Sequence, residues 1–396
     1  MDKILNNDIV IVGACRTPVG SFGGALSSVS APQLGALVIG EALRRARIKP
    51  EHVDEVNMGA VLTAGLGQAP ARQAAIFAGL PTSVECMTVN KVCGSGLKSI
   101  MLGVQSLRLG DANIVAAGGM ESMSNVPYYL EKARTGYRMG HGQVTDGMIK
   151  DGLWDVYDDF HMGDAAEQCA VSCNIPRADQ DTFAVESYNR ALTAQKSGYF
   201  RDEIVPVSIP QKSGDPVIVA EDEEPKKVKF EKIPSLRPAF KKDGTITAAN
   251  ASKINDGAAA VVMTTAETAA KLGCTPLARI VAYGSAARKP AEFTIAPADI
   301  IQKILSKSSL AKENIDLFEI NEAFAVVTLA VNKMLGLDPA RVNVHGGAVA
   351  LGHPIGASGA RILVTLLYAM KQRNVKRGLA AICIGGGEAS GMIIER

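Results

Sequence analysis

At 396 residues the chain is too long for one small hydrophobic core. Its composition, 47% hydrophobic but only 5% aromatic with 39 glycines, suits tightly packed α/β layers. A formal net charge of +2 excludes nucleic acid as the main partner, and no apolar run approaches the ~20 residues that a membrane span needs. Seven cysteines at irregular spacing read as reduced thiols. The opening residues form neither a signal peptide nor an Arg-rich transit segment, and Ile394-Glu395-Arg396 is not a peroxisomal address, so a cytoplasmic location is expected.

In chain order, residues 8–13 read as a strand, and residues 39–59 as a helix, a polar turn near Pro50 and a second strand. An apolar helix follows Gly94 and runs to about Leu107, before a strand over 112–119 and Met120-Glu121. The stretch 120–249 differs in character. Its segment 125–143 is polar, aromatic and unpatterned, a helix is expected over 177–198, and 210–242 is rich in proline and charge. Residues 247–271 return to core character. The opening pattern then recurs: 278–283 matches 8–13, and 301–321 aligns without a gap to 39–59. Apolar residues fall at matched places, such as Leu43 with Leu305 and Val53 with Ile315. A helix over 360–370 and a strand over 379–384 complete the second copy.

This duplication predicts an α/β fold in which two β/α units, each a mostly parallel sheet, bury a helix pair between them as a five-layer αβαβα sandwich. The expected division is 1–119 plus 250–272, an inserted loop domain over 120–249, and 273–396. Two copies are too few for a solenoid. Ile362-Leu363-Val364 and Leu366-Leu367 are apolar nearly all round, as a helix buried on every side requires.

Three glycine-rich turns each carry one reactive side chain: Val92-Cys93-Gly94-Ser95-Gly96, Gly352-His353-Pro354-Ile355-Gly356 and Cys383-Ile384-Gly385-Gly386-Gly387. Together they suit chemistry on a thioester. Cys93 stands just before a helix, where free N–H groups and the helix dipole favour a thiolate. A lone cysteine is more often packing, as is a lone histidine, but the duplication places the Cys93 and His353 turns at one face. The Gly-Gly-Gly after Cys383 can present backbone donors to an oxyanion. Cys169 and Cys173, four apart on a helix, read as packing rather than a metal site. Cys15, Cys86 and Cys274 have no informative neighbours. His52 and His141 read as surface residues, with His345 undecided. The lysines at 226, 227, 229 and 232 form either a solvated face or a grip on coenzyme A phosphates.

With these residues in place, the sequence resembles the thiolase family over essentially its whole length. Asn90-Lys91-Val92-Cys93-Gly94-Ser95-Gly96, Asn321-Glu322-Ala323-Phe324, Gly352-His353-Pro354-Ile355-Gly356 and Cys383-Ile384-Gly385-Gly386-Gly387 match the family's four signatures in order. The resemblance implies that Cys93 takes the acyl group and His353 accepts its proton. Cys383 would move a proton at the α-carbon of the second acetyl-CoA. Asn321 would hold a water that completes one oxyanion hole with His353, and the N–H groups of Cys93 and Gly385 would form the other. His161, Met162, Ser252 and Phe324 would line the pantetheine arm, Lys227 and Lys232 would stand near the nucleotide, and 125–143 would join dimers into a homotetramer. Acetyl-CoA, acetoacetyl-CoA and CoA are the implied substrates and products, with no covalently bound cofactor. Tyr188 and the carbonyls of Ala248, Ala249, Ala251 and Val349 match a potassium (K+) site of the mitochondrial-type members. Two places depart from the pattern: Phe293-Thr294 stands where those members have Phe-Pro, and Glu388 where a small or apolar residue is usual. A broader-chain 3-ketoacyl-CoA thiolase, a ketoacyl synthase, a non-catalytic acyl-CoA-binding protein and a redox-sensing thiol protein are the alternatives. The last three fit the set Cys93, His353, Cys383 and Asn321 less well.

Overall fold

A computed structural model describes residues 5–396; Met1 to Ile4 of the expected N-terminal unit lie outside the described residues. The first half comprises β1 (Ile9–Arg16), α1 (Ala31–Ala46), β2 (Glu55–Gly59), α2 (Pro70–Phe77), β3 (Glu85–Val89), α3 (Ser95–Leu109) and β4 (Ile114–Ser122). Helices α4 (Met162–Ser172) and α5 (Arg177–Lys196) lie in the following excursion, before β5 (Asn255–Thr265) and α6 (Ala266–Lys271). The second half comprises β6 (Ala278–Ala287), α7 (Ala296–Lys307), β7 (Leu317–Ile320), α8 (Ala325–Leu335), α9 (Ala348–Leu351), α10 (Ile355–Arg373), β8 (Arg377–Ile384) and β9 (Glu388–Glu395).

The strands run β7-β8-β9-β6-β1-β5-β4-β2-β3, with Gly20–Ser21 pairing beside β5. The two halves meet where Val10 and Ile11 pair with Arg279 and Ala278. Helices α1 and α2 cover one outer face, α7 covers the other, and α3 and α10 pack between the half-sheets. The five layers follow, with separate apolar cores in the outer and central layers. The expectation of mostly parallel pairing needs correction. Strand β5 is antiparallel to both β1 and β4, and β9 is antiparallel to both β6 and β8. The causes are local. Strand β9 follows β8 through a tight glycine turn, which can only return the chain antiparallel. Strand β5 enters at the end of the excursion from the opposite side.

Helix α10 is buried along its whole length from Ile355 to Met370, whereas α3 buries one face. The two cross so closely that glycine is required. A Cβ at Gly96 would lie 2.9 Å from the Ala360 nitrogen, and one at Gly359 would lie 2.6 Å from the Leu97 nitrogen. This crossing brings the turns before both helices to one place. The excursion is tied to the sheet by Arg16, fully buried, which pairs with Glu203 at 2.5 Å and Asp222 at 2.6 Å.

Candidate active site

Between β3 and α3 the chain forms a locked turn. The N–H groups of Gly94 and Ser95 donate to the carbonyls of Lys91 and Val92, each at 3.0 Å. Ser95 Oγ accepts from the Lys91 N–H at 2.8 Å and donates to the Val92 carbonyl at 2.6 Å. Val92 is held at φ 45°, a conformation a β-branched residue rarely adopts and one characteristic of functional turns. The turn sets Cys93 on the wall of a cavity of about 280 Å³. Burial pushes its thiol up to about 11, although the N–H groups of Gly385 and of Cys93 itself face the sulfur. The thiolate expected from the helix start is therefore corrected: desolvation outweighs the dipole and the amides, and the resting group is a thiol.

His353 lines the same cavity. Gly352, at φ 108°, lets the chain turn tightly past Asn255, whose Oδ1 accepts the His353 N–H at 2.9 Å. His353 Nδ1 lies 2.6 Å from Ser358 Oγ, and Ser358 Oγ donates to the Pro354 carbonyl at 2.8 Å. The hydroxyl's one proton is thus committed, so Nδ1 donates to it and Nε2 carries the free lone pair. Nε2 is buried with no hydrogen-bond partner among the described residues. Burial, with the positive field of Arg361, pulls the imidazole down to about 3, so it rests neutral.

Cys383, the penultimate residue of β8, is fully buried in an apolar cluster with Met162, Phe293 and Phe324. Burial, then the neighbouring Cys93, hold its thiol well above the ordinary range. Asn321 follows β7, its N–H bonded to the Ala381 carbonyl at 2.9 Å. Asn321 is 1% exposed, and neither polar atom of its side chain has a hydrogen-bond partner among the described residues. His161, Met162, Ser252, Phe324 and Gly385 also line the cavity. His161 caps α4 by accepting the Gly163 N–H at 3.0 Å and stacks on Phe240 with centroids 4.8 Å apart.

Lys227 and Lys232 sit elsewhere, on a second cavity of about 230 Å³ shared with Tyr188, Ala248 and Ala249. Lys227 donates to Ser21 Oγ and lies 3.9 Å from Glu224. Lys253 forms part of the walls of both cavities.

The residues expected to hold potassium do not fit that ion. Lys253 Nζ donates to the Ala251 carbonyl at 2.8 Å and to the Val349 carbonyl at 3.2 Å, two of the expected ligands. Two unit charges ~4 Å apart repel by about 4 kcal/mol at an effective dielectric near 20. The oxygen cluster already has its cation. Glu388, which departs from the family pattern, forms an ion pair with Lys91 that ties the Cys93 turn to the start of β9. Cys169 and Cys173 lie 3.9 Å apart, and no group of metal-ligating side chains forms among the described residues. His345 is buried, and burial pulls it down to about 4.

Sequence reasoning missed Asn255, Ser358, Glu121, Lys91 and Lys253. Ser358, five residues past His353 in the first turn of α10, was within reach of a spacing argument. Glu121 was not. Its carboxylate accepts the N–H groups of Val61, Leu62 and Gly356 at 3.1, 3.2 and 2.8 Å, joining segments far apart in sequence. Burial raises it to about 7.

Residues 9–267 match the family described as Thiolase, N-terminal domain, and residues 274–396 match Thiolase, C-terminal domain. The chain is 55% identical over 390 residues to "Acetyl-CoA acetyltransferase" of Cupriavidus necator, covering 98% of this chain and 99% of that one. It is 54% identical over 391 residues to "Acetyl-CoA acetyltransferase B, mitochondrial" of Xenopus laevis, covering 98% and 92%. The crystal structure of the Bacillus anthracis acetyl-CoA acetyltransferase matches with a TM-score of 0.96 at 42% identity, covering 99% of this chain and all of that one. The chain belongs to the thiolase family, and with it to the acyltransferases.

Proposed function

We propose that the protein is an acetyl-CoA C-acetyltransferase, running the reversible Claisen condensation of two acetyl-CoA to acetoacetyl-CoA and CoA through an S-acetyl-Cys93 intermediate. The carrying observation is that a thiol and a neutral imidazole with its acceptor nitrogen free share one cavity, with the Gly385 N–H facing that thiol. Cys93 Sγ attacks the thioester carbonyl as its proton passes to His353 Nε2, which then protonates the departing CoA sulfur. The developing oxyanion is held by the N–H groups of Cys93 and Gly385. His353 Nε2 next accepts the Cys383 proton; the resulting thiolate takes the α-proton of the second acetyl-CoA, and the imidazolium Nε2–H with the Asn321 amide, through water, steadies the enolate oxygen. The enolate carbon attacks the acetyl carbonyl, the Cys93–acyl bond breaks, and the His353 imidazolium returns its proton to the Cys93 sulfur, which leaves both thiols and the imidazole as they began. Both orphaned atoms of Asn321 support that role, since a buried amide needs partners.

Phe240, Phe293 and Phe324 crowd the cavity, which favours a short acyl chain over the broader-chain alternative. In this reading 120–249 is a loop domain that carries the CoA contacts, with Lys227 and Lys232 near the nucleotide. Exposed Tyr128, Leu130 and Met139 support 125–143 as the joint of a homotetramer. A cytoplasmic setting suits the seven free thiols, and no helix among the described residues is long and apolar enough to cross a membrane. Potassium has no part in the reading, because Lys253 engages two of its expected ligands.

The test is incubation with acetyl-CoA followed by peptide mass spectrometry, and a chain-length series of 3-ketoacyl-CoA esters. Acetylation of Cys93 and a steep fall in kcat/KM beyond four carbons are expected. A label on Cys383 reverses the roles of the two thiols, and equal rates on long chains favour the broader-chain enzyme.

A further inference from the structure

The loop that closes the cavity carries a lysine that none of the acyl-transfer steps uses. Lys253 follows Ser252, and its side chain folds back so that Nζ donates to the carbonyl of Ala251 at 2.8 Å. It also crosses to the carbonyl of Val349 at 3.2 Å, and Nζ lies 5.6 Å from the centre of the Tyr188 ring. Two carbonyl oxygens and an aromatic face are the partners a weakly hydrated cation takes. The carboxylates of Glu224 and Glu322 add a negative field around it.

The carbonyls it joins belong to the two sides of the site. Ala251 is bridged to Phe324, and the next N–H, that of Ser252, donates to the Ala323 carbonyl at 3.0 Å. Val349 lies in α9, where its N–H donates to Glu322 Oε2 at 3.1 Å, and α9 leads through Gly352 into His353. A link from Ala251 to Val349 therefore sets the Ser252 wall of the cavity against the histidine turn.

We propose that Lys253 is a positioning residue whose ammonium serves as a tethered monovalent cation, joining the loop that carries Ser252 to the helix that precedes His353, where a free potassium ion would otherwise have to sit. The proposal rests on the acyl-transfer reading of the cavity. It concerns how the cavity walls are held, and the thiol chemistry proceeds through other residues.

The experiment compares the wild type with Lys253→Ala, Lys253→Met and Lys253→Arg in potassium, sodium or tetramethylammonium chloride at one ionic strength. Two quantities are read: kcat and KM for acetoacetyl-CoA thiolysis, and the midpoint of thermal unfolding. The wild type should be indifferent to the choice of salt. Lys253→Met, which keeps the length of the chain but not the charge, should raise KM about tenfold with a smaller fall in kcat, and Lys253→Arg should stay within about threefold of wild type. Lys253→Ala opens room for an ion. Potassium, but not tetramethylammonium, should recover most of its kcat/KM and raise its unfolding midpoint by about 2 °C, because an ion bound only to the folded state stabilises it. Threefold or greater activation of the wild type by potassium over sodium would overturn the proposal, as would a Lys253→Met enzyme with wild-type KM. A Lys253→Ala enzyme equally impaired in all salts, with no potassium effect on its midpoint, would reduce Lys253 to packing. The unfolding midpoints decide this independently of turnover, while a wild type that takes no acetyl group on Cys93 would sink the acyl-transfer reading instead.

Discussion

The two halves carry the same frame and opposite contents. Strand β2 ends at Gly59 and β4 carries Gly119; a Cβ at Gly59 would lie 2.5 Å from the backbone of Ser95, and one at Gly119 2.1 Å from the Gly356 carbonyl oxygen. The matching strand ends of the second half carry Asn321 after β7 and Cys383 in β8, side chains of full size. In the first half the strand ends are closed by the central helices pressing on them. In the second half the same positions supply polar and sulfur groups beside the cavity. The duplicated fold thus keeps one frame and fills it differently: the strand ends of one copy make room for the central helices, and those of the other carry Asn321 and Cys383.

The largest expected effect comes from the first half's own contribution to the cavity, Cys93, the proposed nucleophile. Cys93→Ala should lower both thiolysis and condensation by a factor of about 10³ or more and abolish acetylation, because no covalent intermediate can form. Next comes Cys383→Ser. It should still acetylate at Cys93, since Cys93 and His353 are untouched, while condensation falls by about 10²–10⁴ for want of a base. Retained condensation would remove Cys383 from the mechanism. Ser358→Ala should cost about tenfold or more in kcat with little change in KM, because Nδ1 loses the acceptor that fixes the histidine's tautomer; an unchanged kcat would mean that packing alone orients the ring.

A direct pair sharpens the comparison between the halves. Gly119→Ala forces a methyl group against backbone and should destabilise the fold by about 3 kcal/mol, read as a lower unfolding midpoint. Asn321→Ala should leave the midpoint nearly in place and lower kcat by about 10². Equal loss of stability in both variants would contradict this difference between the strand ends of the two copies.

The smallest effects concern pH and the outer charges. Burial draws Lys253 down to about 8, opposed by Glu224 and Glu322; Tyr188, Lys227, Lys229 and Lys232 line the same cavity. Because the lowered value means that the charge is lost as pH rises through about 8, KM for CoA esters should climb by a few-fold between pH 7.5 and 9 in the wild type and stay flat in Lys253→Arg. A flat wild-type profile would leave the ammonium's charge without effect on binding. The Lys91–Glu388 pair is partly exposed, and Glu388→Gln should change stability by less than about 1 kcal/mol.

Much of the frame was legible in the residues. The repeat of 39–59 in 301–321 fixed a helix, a short turn and a strand in each copy, and both copies show them, with 3₁₀ turns at Pro50–His52 and Lys312–Asn314. Apolar residues on every side of 362–367 required the buried central helix, because nothing else satisfies such a pattern in water. The three glycine-rich turns singled out Cys93, His353 and Cys383; the structure puts Cys93 and His353 on one cavity with Cys383 buried close by, and Gly352, Gly386 and Gly387 take the positive φ that such turns need. Other features belong to the tertiary structure alone. Desolvation is a property of the assembled cavity, so only the fold could decide that Cys93 rests as a thiol despite its place at a helix start. Strand direction in β5 depends on where a long excursion returns, which no local pattern encodes. Nothing in the sequence singles out Lys253. Only the meeting of Ala251 and Val349, almost a hundred residues apart, gives its ammonium two carbonyls to bind, because a cation's partners are set by proximity in space and not along the chain.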